Sequence, residues 1–170
     1  MISFHSISSF RKSLRNLTSR PKDGFASLIS DICNEFKDKT IEDIRNAQTI
    51  CFREEKYHVT KIRIAVSSNN TGKSNGVRLY FIVLEEKDQV YFLDVYPKKG
   101  AQSMLNISNN ILKGYFNDIA NEIRSGLIAI HNIENNLEVS SSINKSSEDI
   151  RPDRGVDVQI PKETVKTTET

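Results

Sequence analysis

The chain predicts an α+β fold: an N-terminal helical hairpin packed on a small antiparallel β-sheet, followed by a C-terminal helix and a disordered tail. Three observations carry this. Residues 58–66, 77–84 and 90–96 are strand-like runs rich in Val, Ile, Tyr and Phe. Their connections are too short for a crossover helix, so an antiparallel meander follows. Residues 7–18 and 24–36 space their apolar side chains at helical intervals. From Asn135 onward the chain turns to Ser, Glu, Asp, Thr and Lys without aromatic residues. The predicted domain therefore spans 1–133 and the polar tail 134–170.

In chain order, ISFHS (2–6) suits a short edge strand. Phe10, Leu14 and Leu17 then form one stripe of a helix, with Arg11, Lys12 and Arg15 elsewhere. Arg20-Pro21 breaks it. Phe25, Leu28, Ile29, Ile32, Cys33 and Phe36 define the second helix. Residues 38–56 mix charges; Ile41, Ile44 and Ala47 suit a further helical turn or two, and Ile50 and Phe52 lead into the sheet. After the meander, Ser108 is a plausible N-cap for a helix to about Ile130, with Ile111, Leu112, Tyr115, Ile119, Ile123 and Leu127 on one side. Gly114 and Gly126 weaken that helix and allow an end near 125.

Composition narrows the function classes. The 170 residues carry a net charge of +2, but residues 1–133 hold 19 Lys and Arg against 14 Asp and Glu, and residues 134–170 hold 5 against 8. The part expected to fold is thus the basic part, which suits a phosphate-bearing partner. No run approaches the ~18 apolar residues of a membrane span, and the basic N-terminus lacks an apolar stretch ahead of a cleavage site. A cytoplasmic protein without membrane partners is the expectation. Cys33 and Cys51 have no metal-ligand or CxxC spacing and suit free thiols. His5, His58 and His131 likewise share no ligand spacing; His58 is either a strand-end histidine or an accessory acid/base. Thr71-Gly72-Lys73-Ser74 resembles the end of a P-loop, but Ser67 stands where the motif needs glycine and the loop leads into a strand.

Alternation sorts the meander. Ile62, Ile64 and Val66 fall on one face with Lys61 and Arg63 opposite; Val77, Leu79, Phe81 and Val83 oppose Arg78 and Tyr80; Tyr91, Leu93 and Val95 alternate with Phe92, Asp94 and Tyr96. Lys61, Arg63, Arg78, Lys98 and Lys99 can therefore gather on one side of a sheet whose other side is apolar. Such a patch is either a solvated surface or an anion site. Two arginines inside strands, and two lysines following the fixed exit Tyr96-Pro97, favour the site.

Four segments resemble the RelE/ParE superfamily of type II toxin-antitoxin toxins, particularly its RelE/HigB-like members. They are Phe10-Arg-Lys-Ser-Leu-Arg-Asn-Leu17, Val59-Thr-Lys-Ile-Arg-Ile-Ala-Val66, Gly72-Lys-Ser-Asn-Gly-Val-Arg-Leu-Tyr80 and Val90-Tyr-Phe-Leu-Asp-Val-Tyr-Pro-Lys98. The resemblance covers about residues 2–125. It implies a toxin that cuts mRNA in the ribosome, without a cofactor or metal, and is held in check by a cognate antitoxin protein. Such cleavage uses the RNA 2′-hydroxyl as nucleophile and leaves a 2′,3′-cyclic phosphate and a 5′-hydroxyl. On this resemblance Lys61 is the candidate general base and Arg63 a phosphate ligand. Arg78 would clamp the transition-state phosphate, and Lys98, with Lys99, would serve as acid or leaving-group stabiliser. Tyr96 would stack on a base or donate a proton, and Lys73 and Lys99 would contact RNA. The chain departs from the pattern at Ala101-Gln-Ser-Met104, where some RelE members carry a catalytic tyrosine; Tyr115 lies too far along to carry over. A ParE-like gyrase inhibitor and a catalytically idle module that binds RNA or a partner remain the alternatives.

Overall fold

The computed structural model describes residues 1–46, 49–53, 57–99 and 107–142. In chain order the elements are β1 (Ser3–Ser6), α1 (Ser8–Thr18), α2 (Leu28–Phe36), α3 (Ile41–Asn46), β2 (Thr49–Arg53), β3 (His58–Ile64), β4 (Val77–Leu84), β5 (Gln89–Pro97), α4 (Asn109–Ser125), β6 (Ala129–Asn132) and β7 (Glu138–Ser142). The fold is α+β, and its sheet is larger than expected: seven strands in the order β2-β3-β4-β5-β1-β6-β7. Every pairing is antiparallel except β1 with β5.

The meander closes through short devices. A one-turn 3₁₀ segment, Glu85–Lys87, joins β4 to β5 and ends on Asp88 at φ +49°. The longer β3–β4 loop folds back at Asn70, φ +53°, beneath a bridge between Val66 and Thr71. It re-enters the sheet at Gly76, where a Cβ would lie 1.9 Å from the Ile64 carbonyl oxygen. Only glycine permits that approach.

Three expectations need correction. β1 is an interior strand, not an edge: it runs parallel to β5 on one side and antiparallel to β6 on the other. Parallel neighbours cannot be joined by a hairpin, so the whole of α1 to β4 lies between them in sequence. Next, α4 stops at Ser125, because Gly126 takes the left-handed conformation (φ +67°) and its N–H closes onto Glu122 and Ile123. Finally, residues 134–142 are not tail. A 3₁₀ turn at Ile133–Asn135 and β7 complete a hairpin with β6, leaving the tail expectation for 143–170 outside the described residues.

The sheet has two unequal faces. On one, Ile62, Ile64, Val77, Leu79, Phe81, Val83, Phe92 and Val95 form a core with Phe10, Leu17, Leu28, Ile32, Phe36 and Ile44 from α1, α2 and α3. Burying each large side chain there is worth roughly 1.5–3 kcal/mol. On the other face, Val59, Tyr80, Ile82, Tyr91, Leu93 and Tyr96 meet Leu112 and Tyr115 of α4. A β-bulge sets this up. Tyr80 opposes Asp94 while Phe81 opposes Phe92, so Leu93 is an extra residue that shifts the alternation of β5. Tyr91 and Tyr96, of opposite parity in sequence, consequently share the α4 face.

Helix α4 is tied to α1 as well. Ile7, at the N-cap of α1, offers no capping side chain; the Glu122 carboxylate instead accepts from Ser8 N at 2.9 Å and lies 3.6 Å from Arg11 Nη2. A carboxylate at a helix N-terminus meets both the open N–H groups and the helix dipole.

Candidate functional site

Antiparallel register turns the alternation of three strands into two rows on the α4 side of the sheet. In the first, Arg63 of β3 stands opposite Arg78 of β4, which stands opposite Tyr96 of β5; in the second, Lys61 stands opposite Tyr80, which stands opposite Asp94. Residues directly across a ladder have Cβ atoms about 4.5–5.5 Å apart. Three cations are therefore held side by side on rigid strands, at the open margin of a face that α4 covers elsewhere.

Their exposure grades across the row. Arg63 is exposed, Lys61 is half-buried, and Arg78 is only 9% exposed. Like charges in direct opposition are unfavourable, yet among the described residues none of the three is ion-paired to a carboxylate. Arg78 Nη1 has no hydrogen-bond partner among them at all. Burial, and then the Arg63 charge, push the Arg78 guanidinium below its ordinary range, while Tyr96 and Tyr80 act weakly the other way. Arginine keeps its charge under such shifts. A buried cation without a counter-charge costs free energy that an incoming anion would recover.

Beside the cations, in the same two rows, stand tyrosines. The Tyr96 hydroxyl donates to the Tyr80 hydroxyl at 3.0 Å, with the two rings stacked at 5.7 Å. Tyr115, from α4, donates to Asp94 Oδ2 at 2.8 Å, and Asp94 Oδ1 accepts from Val95 N at 2.8 Å. Burial first, and the bond with Tyr80 second, push the Tyr96 hydroxyl far above the usual phenol range; burial and the Asp94 charge do the same to Tyr115. Both phenols stay protonated. Tyr96 is 4% exposed, so its ring faces no stacking partner at the surface and its proton is already engaged. It flanks the cationic row, directly across the ladder from Arg78. Tyr80, Asp94 and Tyr115 are the residues that sequence reasoning missed; only cross-strand register and the path of α4 bring them here.

The lysines beyond the strands divide. Lys98 is exposed at the end of β5; its N–H donates to Gly76 O at 3.2 Å and its Nζ to Ser74 O at 3.1 Å, which keeps it near the end of the Arg78 strand. Lys73 is drawn instead to α2, where its Nζ donates to Glu35 Oε2 at 2.9 Å while Lys39 donates to Oε1 at 3.0 Å. Burial alone would raise the Glu35 carboxyl, but these two lysines outweigh it and hold it below its ordinary range. Lys99 lines a cleft beside Phe25 and Val66. The structure thus brings together Lys61, Arg63, Arg78 and Tyr96, places Lys98 at the end of their ladder, and directs Lys73 and Lys99 elsewhere.

His58 is buried at the start of β3, its Nδ1 4.0 Å from Glu85 Oε1. Cys33 is buried and Cys51 half-buried. Among the described residues no three His, Cys, Asp or Glu side chains gather as a metal ion would require, and no helix is long and apolar enough to cross a membrane. No protein-family model and no curated protein matches the chain.

Proposed function

We propose that the Lys61, Arg63 and Arg78 face binds the phosphate backbone of RNA and cleaves it. The protein would act as a toxin-type, ribosome-dependent mRNA endoribonuclease restrained by an antitoxin protein. The single observation that carries this reading is the opposed pair Arg63 and Arg78, with Arg78 buried and one of its guanidinium nitrogens without a partner among the described residues. Two forked donors beside each other match the oxygens of one phosphodiester.

In this mechanism Lys61, reacting as its neutral amine, accepts the proton of the 2′-hydroxyl and becomes the ammonium as the hydroxyl oxygen attacks the adjacent phosphorus. Arg63 and Arg78 neutralise the charge that builds on the phosphoryl oxygens. The bond from phosphorus to the 5′-oxygen breaks, Lys98 supplies that oxygen with a proton, and the products are a 2′,3′-cyclic phosphate and a 5′-hydroxyl. Tyr96 and Tyr80 hold the wall against which Arg78 lies. Rigid strand positions keep the groups in line, which is where most of the rate gain in such a transfer arises.

A second reading, RNA binding without cleavage, is favoured by one observation: Tyr96, the phenol directly across from Arg78, already donates its proton to Tyr80, which removes it as a proton donor to RNA. Primer extension on a reporter mRNA in a reconstituted translation system separates the two. Under the nuclease reading, cuts within translated codons appear with wild-type protein and ribosomes and vanish in Arg78→Ala. Intact mRNA, with RNA still bound in an Arg78-dependent manner, replaces it by the binding reading.

A further inference from the structure

At the end of the same sheet, on the side away from α4, the β3–β4 loop and the segment before α2 enclose a cleft of about 370 Å³. Its walls are built in advance. Asp31 of α2 accepts from Ser67 N at 3.0 Å and from Ser67 Oγ at 2.6 Å, and Ser68 N donates to Ser27 Oγ at 2.8 Å. Within the loop, Thr71 N donates to Asn69 Oδ1 at 3.0 Å and Asn75 N to Gly72 O at 3.0 Å. These bonds fix the loop against the start of α2, and the cleft lies beside them, between the loop, Phe25 and the end of β5. Phe25, which packs partly on the core, lines the cleft together with Asn70, Thr71, Asn75 and Lys99.

The polar and aromatic groups of that lining are one aromatic ring, three carboxamides (Asn69, Asn70 and Asn75), a hydroxyl and a cation, with no carboxylate. A flat ring that can stack suits Phe25; a ring edge with mixed donors and acceptors suits the carboxamides; a phosphate attached to it suits Lys99. Position supplies the second argument. Gly76 and Pro97 line the cleft, and the pair Val77 and Pro97 is the next step along the ladder from Arg78 and Tyr96. One step is about 3.3 Å of strand. A single nucleic-acid strand held at Arg63 and Arg78 therefore reaches the cleft by rounding the end of the sheet, where Lys98 and Lys99 follow each other.

We propose that this cleft takes one unpaired nucleobase of the RNA strand whose phosphate is held by Arg63 and Arg78. This rests on the RNA reading above and adds a base-binding subsite to it. The subsite would make the protein sensitive to nucleotide identity, which a cationic row alone cannot be.

The test measures fluorescence anisotropy of two 2′-O-methylated hexanucleotides of equal charge, one carrying all its bases and one abasic, with the full chain. Wild-type protein is expected to hold the base-bearing strand about tenfold more tightly than the abasic one. Phe25→Leu, which keeps apolar packing, and Asn75→Ala are each expected to remove most of that preference while leaving abasic binding and the thermal midpoint unchanged. Arg78→Ala should weaken both strands alike. A preference that survives in both cleft variants, or is absent from wild type while binding still depends on Arg78, overturns the subsite and leaves the RNA reading standing. Failure of both strands to bind wild-type protein overturns both.

Discussion

The two faces of β3, β4 and β5 share one backbone and differ in almost everything else. On the side of α1, α2 and α3, Val77, Leu79, Phe81, Val83 and Phe92 are fully buried and apolar. On the side of α4, Arg63, Arg78 and Tyr96 form one row and Lys61, Tyr80 and Asp94 another. The first face holds the fold together. On the second, Arg78 is a buried cation with no carboxylate paired to it among the described residues, a condition that costs stability and fits an anion site.

The largest expected effect breaks the first face. Phe92 touches Phe4, Phe10 and Phe36 with ring centres 5.9, 5.1 and 5.3 Å away. Phe92→Ala should cost roughly 3–5 kcal/mol in urea unfolding, and any loss of RNA binding should follow the unfolded fraction.

Next in size is acid sensitivity at the seam where β1 joins the faces. His5 is buried, stacks on Tyr91 at 4.6 Å and is pushed down to about 4, chiefly by burial and secondarily by His131. His131, on the other face, donates from Nδ1 to Leu137 O at 2.8 Å, and its Nε2 lies 2.6 Å from the Ser6 hydroxyl. Burial lowers it too. Below pH 6.5 the unfolded chain binds protons that the folded chain refuses. Stability should thus be complete above about pH 6.5 and fall by about 3 kcal/mol from His5 alone as pH drops toward 4. Urea midpoints across that range, flattened in His5→Phe, check it.

A smaller effect sharpens the second face. Tyr115→Phe leaves Asp94 Oδ2 buried without its donor and should cost about 1–3 kcal/mol, with helix α4 showing faster amide exchange than the α1 to α3 side. Equal exchange on both sides would mean that α4 is held by its apolar contacts, not by this bond.

The sequence exposed the two faces unevenly. Strands β3 and β4 were legible because their alternation is unbroken from Ile62 to Ile64 and from Val77 to Val83, and the same pattern placed Lys61, Arg63 and Arg78 together. Strand β5 was legible as a strand but not in its facing, since the bulge at Leu93 shifts parity without leaving a glycine or proline as a mark. β1 and β6, four residues each, are too short to show a period, so neither the interior place of β1 nor the added hairpin could be read. Beyond Gly126 the apolar pattern runs on through Leu127 without a break because the apolar residues of β6 follow at once. Within the site, the cations announced themselves by charge; Tyr80, Asp94 and Tyr115 come beside them only through register and through the course of α4, neither of which composition encodes.

Arg78 separates the two faces most directly. Arg78→Met keeps the length and apolar stem of the side chain while removing the buried charge, so urea unfolding and RNA binding should be measured on the same preparation. The unfolding free energy should be unchanged or higher by about 1 kcal/mol, while RNA affinity should fall at least about tenfold, the loss of one good charge-assisted contact. A variant that is clearly less stable yet binds RNA as tightly as wild type would contradict the account, making Arg78 a structural residue and the cationic row a solvated surface.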